Sequence, residues 1–197
     1  MRTIIAMLSL MLATGCVGTA NLPALQYYVL QDLGPASQVR PANLSNRVLL
    51  LQPTSVSAFY DTQRLVYSRA DGQRAYYQFA AWTERPGRAF SDLLSRRLDA
   101  PTTTSGVRGD LILRTRLEEL YHDASVKPGI VRIEVSAELI DASGNLVGER
   151  RRFTRNVPSS EESAAAAVDA AKRAVTEVLD DIAAWLLGYT AKSVARS

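Results

Sequence analysis

LILRTRLEELYHDASVKPGIVRIEVSAELI, residues 111–140, is the stretch whose reading decides the fold. Leu111, Leu113, Thr115 and Leu117 share one parity while Arg114, Arg116 and Glu118 hold the other, the period of two that a half-buried strand requires. The pattern returns further on, with Val131, Ile133, Val135, Ala137 and Leu139 on one face and Arg132, Glu134, Ser136 and Glu138 on the other. Lys127-Pro128-Gly129 turns the chain between the two strands. Asp141-Ala142-Ser143-Gly144-Asn145 is a second turn signal, and a third strand is expected from about Leu146 to Val157, its poor alternation pointing to a bulge. Three strands on short turns make an antiparallel meander with one solvated face and one face that needs cover.

Two helices are expected to supply it. Ser159 and Glu162 have the spacing of a capping box, and Val168, Ala171, Val175, Val178, Leu179, Ile182 and Leu186 then recur at helical intervals until Gly188, where a C-cap belongs. The alanine run Ala164 to Ala167 makes a good helix start. Upstream, Pro86 opens a helix to about Leu98, with Phe90, Leu93, Leu94 and Leu98 on one stripe and Arg88, Ser91, Arg96 and Arg97 largely outside it. Tyr27 to Leu30 reads as a short strand, and the unbroken run Val48-Leu49-Leu50-Leu51 suits a strand buried on both faces and ended by Pro53. Ser57–Tyr60 and Arg64–Tyr67 read as an irregular extended pair, and Asp71-Gly72 as a tight turn into Tyr76–Phe79. Pro101 to Ser105, with Gly106 and Gly109, is expected to be an exposed loop. The expected architecture is a single α+β domain, a mostly antiparallel sheet with both helices on one face.

Composition narrows the function classes. The chain of 197 residues is 22% charged and 47% hydrophobic, ordinary for a globular protein. Its 23 basic and 20 acidic side chains leave too little excess charge for a nucleic-acid partner. Cys16 is the only cysteine and His122 the only histidine, so a disulfide, a zinc site or a Cys/His nucleophile pair has almost nothing to build on. The sequence carries no phosphate-cradling glycine loop, no HExxH and no calcium loop, and neither a cofactor nor a metal is expected.

Arg2 precedes the apolar run Ile4–Ala13, and the small residues Thr14 and Gly15 lead to Cys16, the layout of a secretory signal. About ten apolar residues are too few to span a bilayer, which takes about 20. Leu12-Ala13-Thr14-Gly15-Cys16 resembles the bacterial lipobox, although Ala13 stands where leucine is preferred. That resemblance implies cleavage before Cys16 and a diacylglyceryl group on its thiol. Val17, where aspartate is absent, favours the outer membrane facing the periplasm by likeness to lipoprotein sorting rules. The organisation expected is a signal peptide over 1–15, a lipidated tether over 16–24, a domain over 25–190 and a flexible tail over 191–197.

Few residues could carry chemistry. His122-Asp123 with Ser125 could form a hydrolase site, but neighbours on an extended segment point to opposite faces, and no oxyanion device is apparent. Arg150-Arg151-Arg152 and Arg155 could meet lipid headgroups or an acidic partner, while strand alternation favours a solvated or salt-bridged face that Glu134, Glu138 and Glu149 could neutralise. Phe59, Tyr60, Tyr67, Tyr76, Tyr77, Phe79 and Trp82 form an aromatic segment with poor core periodicity. Tyrosine and tryptophan favour interfaces, and Tyr67, Tyr76 and Trp82 are the expected partner contacts.

Taken together, the lipobox, Tyr27-Tyr28-Val29-Leu30, Arg64-Leu65-Val66-Tyr67 and its following tyrosines, and Trp82-Thr83-Glu84-Arg85-Pro86 opening a helix resemble the ABC-type transport auxiliary lipoprotein family, also called PqiC-like. The resemblance spans nearly all of the chain after Cys16. It implies a non-enzymatic accessory subunit that works with an MCE-domain substrate-binding protein and an ABC permease and ATPase to move lipids across the cell envelope, with self-association left open. The alternatives are a lipoprotein assisting lipopolysaccharide insertion or peptidoglycan synthase activation, a purely structural lipoprotein, and the hydrolase above.

Overall fold

The computed structural model describes residues 23–34 and 47–194. In chain order the elements are β1 (Gln26–Tyr28), β2 (Leu49–Leu51), β3 (Ser55–Val56), β4 (Arg64–Ser68), β5 (Ala75–Trp82), α1 (Pro86–Leu98), β6 (Leu111–Asp123), β7 (Ile130–Asp141), β8 (Arg151–Pro158) and α2 (Ala164–Val194). They form one eight-stranded sheet with the path β1-β5-β4-β6-β7-β8 and two helices, an α+β fold as expected.

β6 is the spine. One edge pairs antiparallel with β7 along its whole length, and β7 pairs antiparallel with β8. The other edge receives three short parallel strands end to end: β2 at Leu111–Leu113, β3 at Arg116–Leu117 and β4 at His122–Asp123. β1 is also parallel to its neighbour β5. The sheet is therefore mixed, because the N-terminal strands arrive through connections longer than hairpins. Pro53, which ended the expected strand, separates β2 from β3 without changing the direction of travel.

A bulge between Leu117 and Glu119 changes which face β6 presents. Before it, Leu111, Leu113, Thr115 and Leu117 face the helices; after it, Leu120 and His122 do. Glu118 stays at the bulge, accepting hydrogen bonds from Arg116 Nε at 2.8 Å, Ser136 Oγ at 2.8 Å and Ser57 Oγ at 3.1 Å. Burial would raise its carboxyl pKa, but these donors and the Arg116 charge bring it below the usual value.

The main core lies between this sheet face and the helices. Leu111, Leu113, Ile133, Val135 and Leu139 meet Phe90 and Leu94 of α1 and Val175, Val178, Leu179, Ile182 and Leu186 of α2. Ala167, Ala170, Ala171 and Ala174 are also buried, and their small side chains let α2 lie close to the strands. A smaller cluster of Tyr60, Val66 and Tyr121 covers part of the opposite face.

Several local expectations are corrected. Ala58–Tyr60 is a 3-10 turn, not an extended segment, because it lays Tyr60 against Val66 and Tyr121. The α2 cap is Ser163, whose Oγ accepts the Ala166 N–H at 3.1 Å; Ser159 is buried four residues earlier, and Glu162 pairs with Lys127 at 3.0 Å. Gly188 lies inside α2. The third strand begins at Arg151, because Gly148 at φ +89° interrupts the extended chain after Leu146 bridges Ile140. Ser91 and Arg97 are buried, not outside the apolar stripe. Among the described residues no helix is long and apolar enough to cross a membrane, and no group of three or more His, Cys, Asp or Glu could hold a metal.

Candidate functional site

The site is built where the sheet is incomplete. β5 has eight residues, but β1 pairs only with its last three, in the register Gln26↔Ala80, Tyr27↔Ala81 and Tyr28↔Trp82. Pro23 has no N–H to extend the ladder, so among the described residues Ala75–Phe79 keeps an edge without a strand neighbour. Beside this edge lies an open groove of about 840 Å³, walled by Tyr67, Arg69, Tyr76, Tyr77 and Phe79. Pro23, Ala24 and Gln26 line it from β1 and its approach, His122 and Ser125 from the end of β6, and Glu162 and Ala164 from the start of α2.

Its aromatic wall is two stacks. In the first, the Tyr67 and Tyr77 rings are 4.9 Å apart, Arg69 stands 5.3 Å above Tyr67, and Tyr77 lies nearly parallel to the His122 imidazole. In the second, Tyr76 stacks on Phe59 at 4.9 Å and 9°, with the Arg64 guanidinium 4.2 Å from the Tyr76 ring centroid. Tyr76 also donates its hydroxyl to Phe59 O at 3.3 Å. The stacks hold Tyr67 and Tyr76 half-buried, each with part of its ring open to the groove. Trp82 is 5% exposed and packs in the main core, because β5 presents it to the helices beside Tyr28.

His122 forms the floor. Ser159 Oγ donates to Pro128 O at 3.1 Å and lies 3.4 Å from Nε2, while the Tyr77 hydroxyl lies 2.7 Å from Nδ1. With the serine proton committed, this pattern puts the imidazole proton on Nε2 and makes Nδ1 the acceptor from Tyr77. Burial lowers the His122 pKa despite the opposing pull of Asp123 and Glu162, and burial followed by the neighbouring Tyr67 raises that of Tyr77. An imidazole whose Nε2 is protonated is not a base toward Ser159.

The bulged strand sends Asp123 away from His122. Asp123 accepts from the Ser125 N–H at 3.1 Å, from the Ser125 hydroxyl and from Arg132 Nε at 2.9 Å. Burial would raise its pKa, but Ser125 and Arg132 lower it. Ser125 is thus bonded to the carboxylate and His122 to Tyr77, so the hydrolase arrangement is not assembled. Arg150 pairs with Glu138 at 2.7 Å and Arg152 with Glu134 at 3.0 Å, as alternation suggested, whereas Arg155 reaches Glu177 at 3.3 Å and Asp181 on α2. Cys16, the signal peptide and most of the tether lie outside the described residues.

Sequence reasoning overlooked one buried polar cluster. Arg97 is 3% exposed and is held by Asp32 and Asp180, while Thr176 Oγ1 donates to Asp32 at 3.1 Å. The signal was present, since position 97 lies seven residues after Phe90 and so falls on the same apolar stripe.

A family model described as ABC-type transport auxiliary lipoprotein component matches residues 28–183. Among solved structures, protein XCC0632 from Xanthomonas campestris is 21% identical, with 87% of this chain and 99% of that chain covered, at a TM-score of 0.75. Another, of an uncharacterized protein, is 16% identical over 83% of this chain and 99% of that chain, at a TM-score of 0.65. At these identities the likeness is one of fold. No curated protein matches the chain.

Proposed function

We propose, because the chain belongs to the family of ABC-type transport auxiliary lipoprotein components, that it is a non-enzymatic docking subunit of an envelope transporter. In this reading lipid on Cys16 anchors it to the periplasmic side of the outer membrane, and its partners are an MCE-domain substrate-binding protein and the ABC permease and ATPase that move lipids. Two or more acyl chains hold a protein stably at a bilayer, where one gives marginal binding. Confinement to that surface raises the effective concentration of the domain near any partner that reaches it.

The observation that carries the docking role is the aromatic groove beside the unpaired half of β5. An open strand edge offers main-chain donors and acceptors to an extended partner segment, and flanking side chains select what fits. Tyr67 and Tyr76 supply rigid rings with polar tips, the side chains favoured at interfaces. Trp82, the third expected contact, supports the groove from the core by fixing β5.

Co-purification of the MCE and ABC subunits with the lipidated protein from membranes tests the reading. Tyr67→Ala and Tyr76→Ala should reduce recovery of the partners while leaving the melting temperature close to wild type. Full recovery with both changes combined would remove the groove from the docking surface.

A further inference from the structure

β1 and its flanks alternate in sequence, and their two faces meet different surroundings. Tyr28 packs on the main core and Leu30 is buried, whereas Leu25, Tyr27 and Val29 are 46%, 61% and 50% exposed. Apolar side chains at every second position along an edge strand are what sheets ordinarily guard against with charge. The other edge strand, β8, follows that practice with Arg151, Arg152 and Arg155.

The exposed row lies on the sheet face opposite the helices. Tyr27 is the register partner of Ala81, and Ala81 of Arg64, so one lateral line crosses the sheet through these three residues. Arg64 is exposed, braced over the Tyr76 ring and without a carboxylate partner among the described residues. Ala24 and Gln26, which line the groove, alternate with this row, so the Tyr67–Tyr77 wall of the groove lies on the other side of the sheet, while its Tyr76 wall lies beside Arg64.

Chain length limits how far this face can stand from the anchor. Seven positions separate Cys16 from Pro23, a reach of at most about 25 Å when fully extended. We propose that Leu25, Tyr27, Val29 and Arg64 form a lipid-facing contact that seats the domain on an anionic phospholipid surface, leaving the Tyr67–Tyr77 wall of the groove directed away from the bilayer. This rests on lipidation of Cys16. Tyrosine and aliphatic side chains suit the boundary between headgroups and acyl chains, and an exposed guanidinium suits lipid phosphate. The contact gives the anchored domain a fixed orientation, which a docking subunit needs if its partner arrives from one direction.

The test uses the lipidated protein in vesicles. The Cys16 thiol is consumed by lipid, so Leu25→Cys, Tyr27→Cys or a control Ser143→Cys in the β7–β8 turn carries the single site for an environment-sensitive fluorophore. In vesicles containing phosphatidylglycerol, nitroxide-bearing lipid should quench labels at 25 and 27 and spare the label at 143. Quenching should weaken in phosphatidylcholine vesicles and with Arg64→Gln. Labels at 25 and 27 that stay unquenched on protein that floats with the vesicles overturn the contact while leaving the anchor intact. A blue shift at 27 without quenching means that a second copy or another protein covers the row, and also overturns it. Mass spectrometry finding no lipid on Cys16 removes the anchor and this proposal together.

Discussion

Arg97 and Asp32, 65 positions apart, meet in a two-pronged ion pair in which Arg97 Nε lies 2.8 Å from Asp32 Oδ2 and Arg97 Nη2 bonds Oδ1. Asp180 on α2 takes the remaining nitrogen, and Leu33 N–H donates to Thr176 Oγ1 at 2.8 Å. The segment after β1, the last turn of α1 and the middle of α2 are thereby joined through one guanidinium. Gly34 completes the joint: a Cβ there would fall 2.0 Å from Arg97 Nη2. Burial would raise the Asp32 pKa, but Arg97, the Gly34 N–H and Thr176 bring it below the usual carboxylate value.

Breaking this joint should be costly. Arg97→Ala leaves Asp32, only 16% exposed, without its cation, and loss of one partner of a buried pair costs about 3–5 kcal/mol. Urea unfolding of the two proteins measures the difference. A loss below about 1 kcal/mol, the worth of a surface pair, would mean that the joint is solvated and weak.

Gly129 should resist substitution more than Gly72 does. Both have positive φ, +118° and +70°. A Cβ at Gly72 meets nothing within 4 Å, so Gly72→Ala should cost only the backbone term of about 1–2 kcal/mol. At Gly129 the added carbon would lie 2.0 Å from His122 Nε2 and 2.9 Å from Ser159 Oγ. Gly129→Ala should therefore cost at least about 3 kcal/mol, strained backbone plus displacement of the imidazole. Equal midpoints for the two variants in urea would show that the imidazole moves aside freely.

The long strands and both helices were legible because each repeats its period over many residues and buries one face. Pro86–Leu98 follows from one proline and a stripe of four apolar residues, and β7 from strict alternation. The parallel pairing of β1, β2, β3 and β4 was hidden, since a strand of two to five residues has no period and its partner is chosen by tertiary packing. The aromatic segment drew notice by composition, but the bulge in the β4–β5 register between Arg64 and Val66 decided which rings reach the groove. Trp82 shows the limit: its type suggests an interface, and its parity after that bulge puts it in the core.

The cap of α2 gives a small and clean comparison. A capping box at Ser159 and Glu162 would make Glu162 matter, whereas the observed cap rests on Ser163 Oγ. Ser163→Ala should cost about 1 kcal/mol. Glu162→Ala removes only an exposed pair to Lys127 and should stay within about 0.5 kcal/mol of wild type. The reverse order in thermal unfolding would restore the earlier cap.

His122 gives the protein a pH dependence whose sign follows from its surroundings. Burial holds its folded-state pKa below the ordinary 6.5, since Asp123 and Glu162 only partly offset the loss of water. Well above pH 6.5 the imidazole is neutral folded and unfolded, and the group adds no slope. As pH falls below that value the unfolded chain takes up the proton first, so stability declines until the folded-state pKa is passed. Within that window a protonated Nδ1 no longer accepts from Tyr77 and instead donates to its hydroxyl oxygen, so this hydrogen bond reverses as the proton binds. Asp32, Glu118 and Asp123 also have lowered pKa values, but the stabilisation they give is complete above the ordinary carboxylate pKa of about 4 and is lost only as pH falls from there toward the lowered folded values. The melting temperature of the wild type should therefore fall between pH 7 and pH 5. That of His122→Gln, a polar side chain with no proton to gain, should start lower and run flat. A wild-type decline reproduced in full by His122→Gln would mean that another group titrates in this window and that the imidazole is not the sensor.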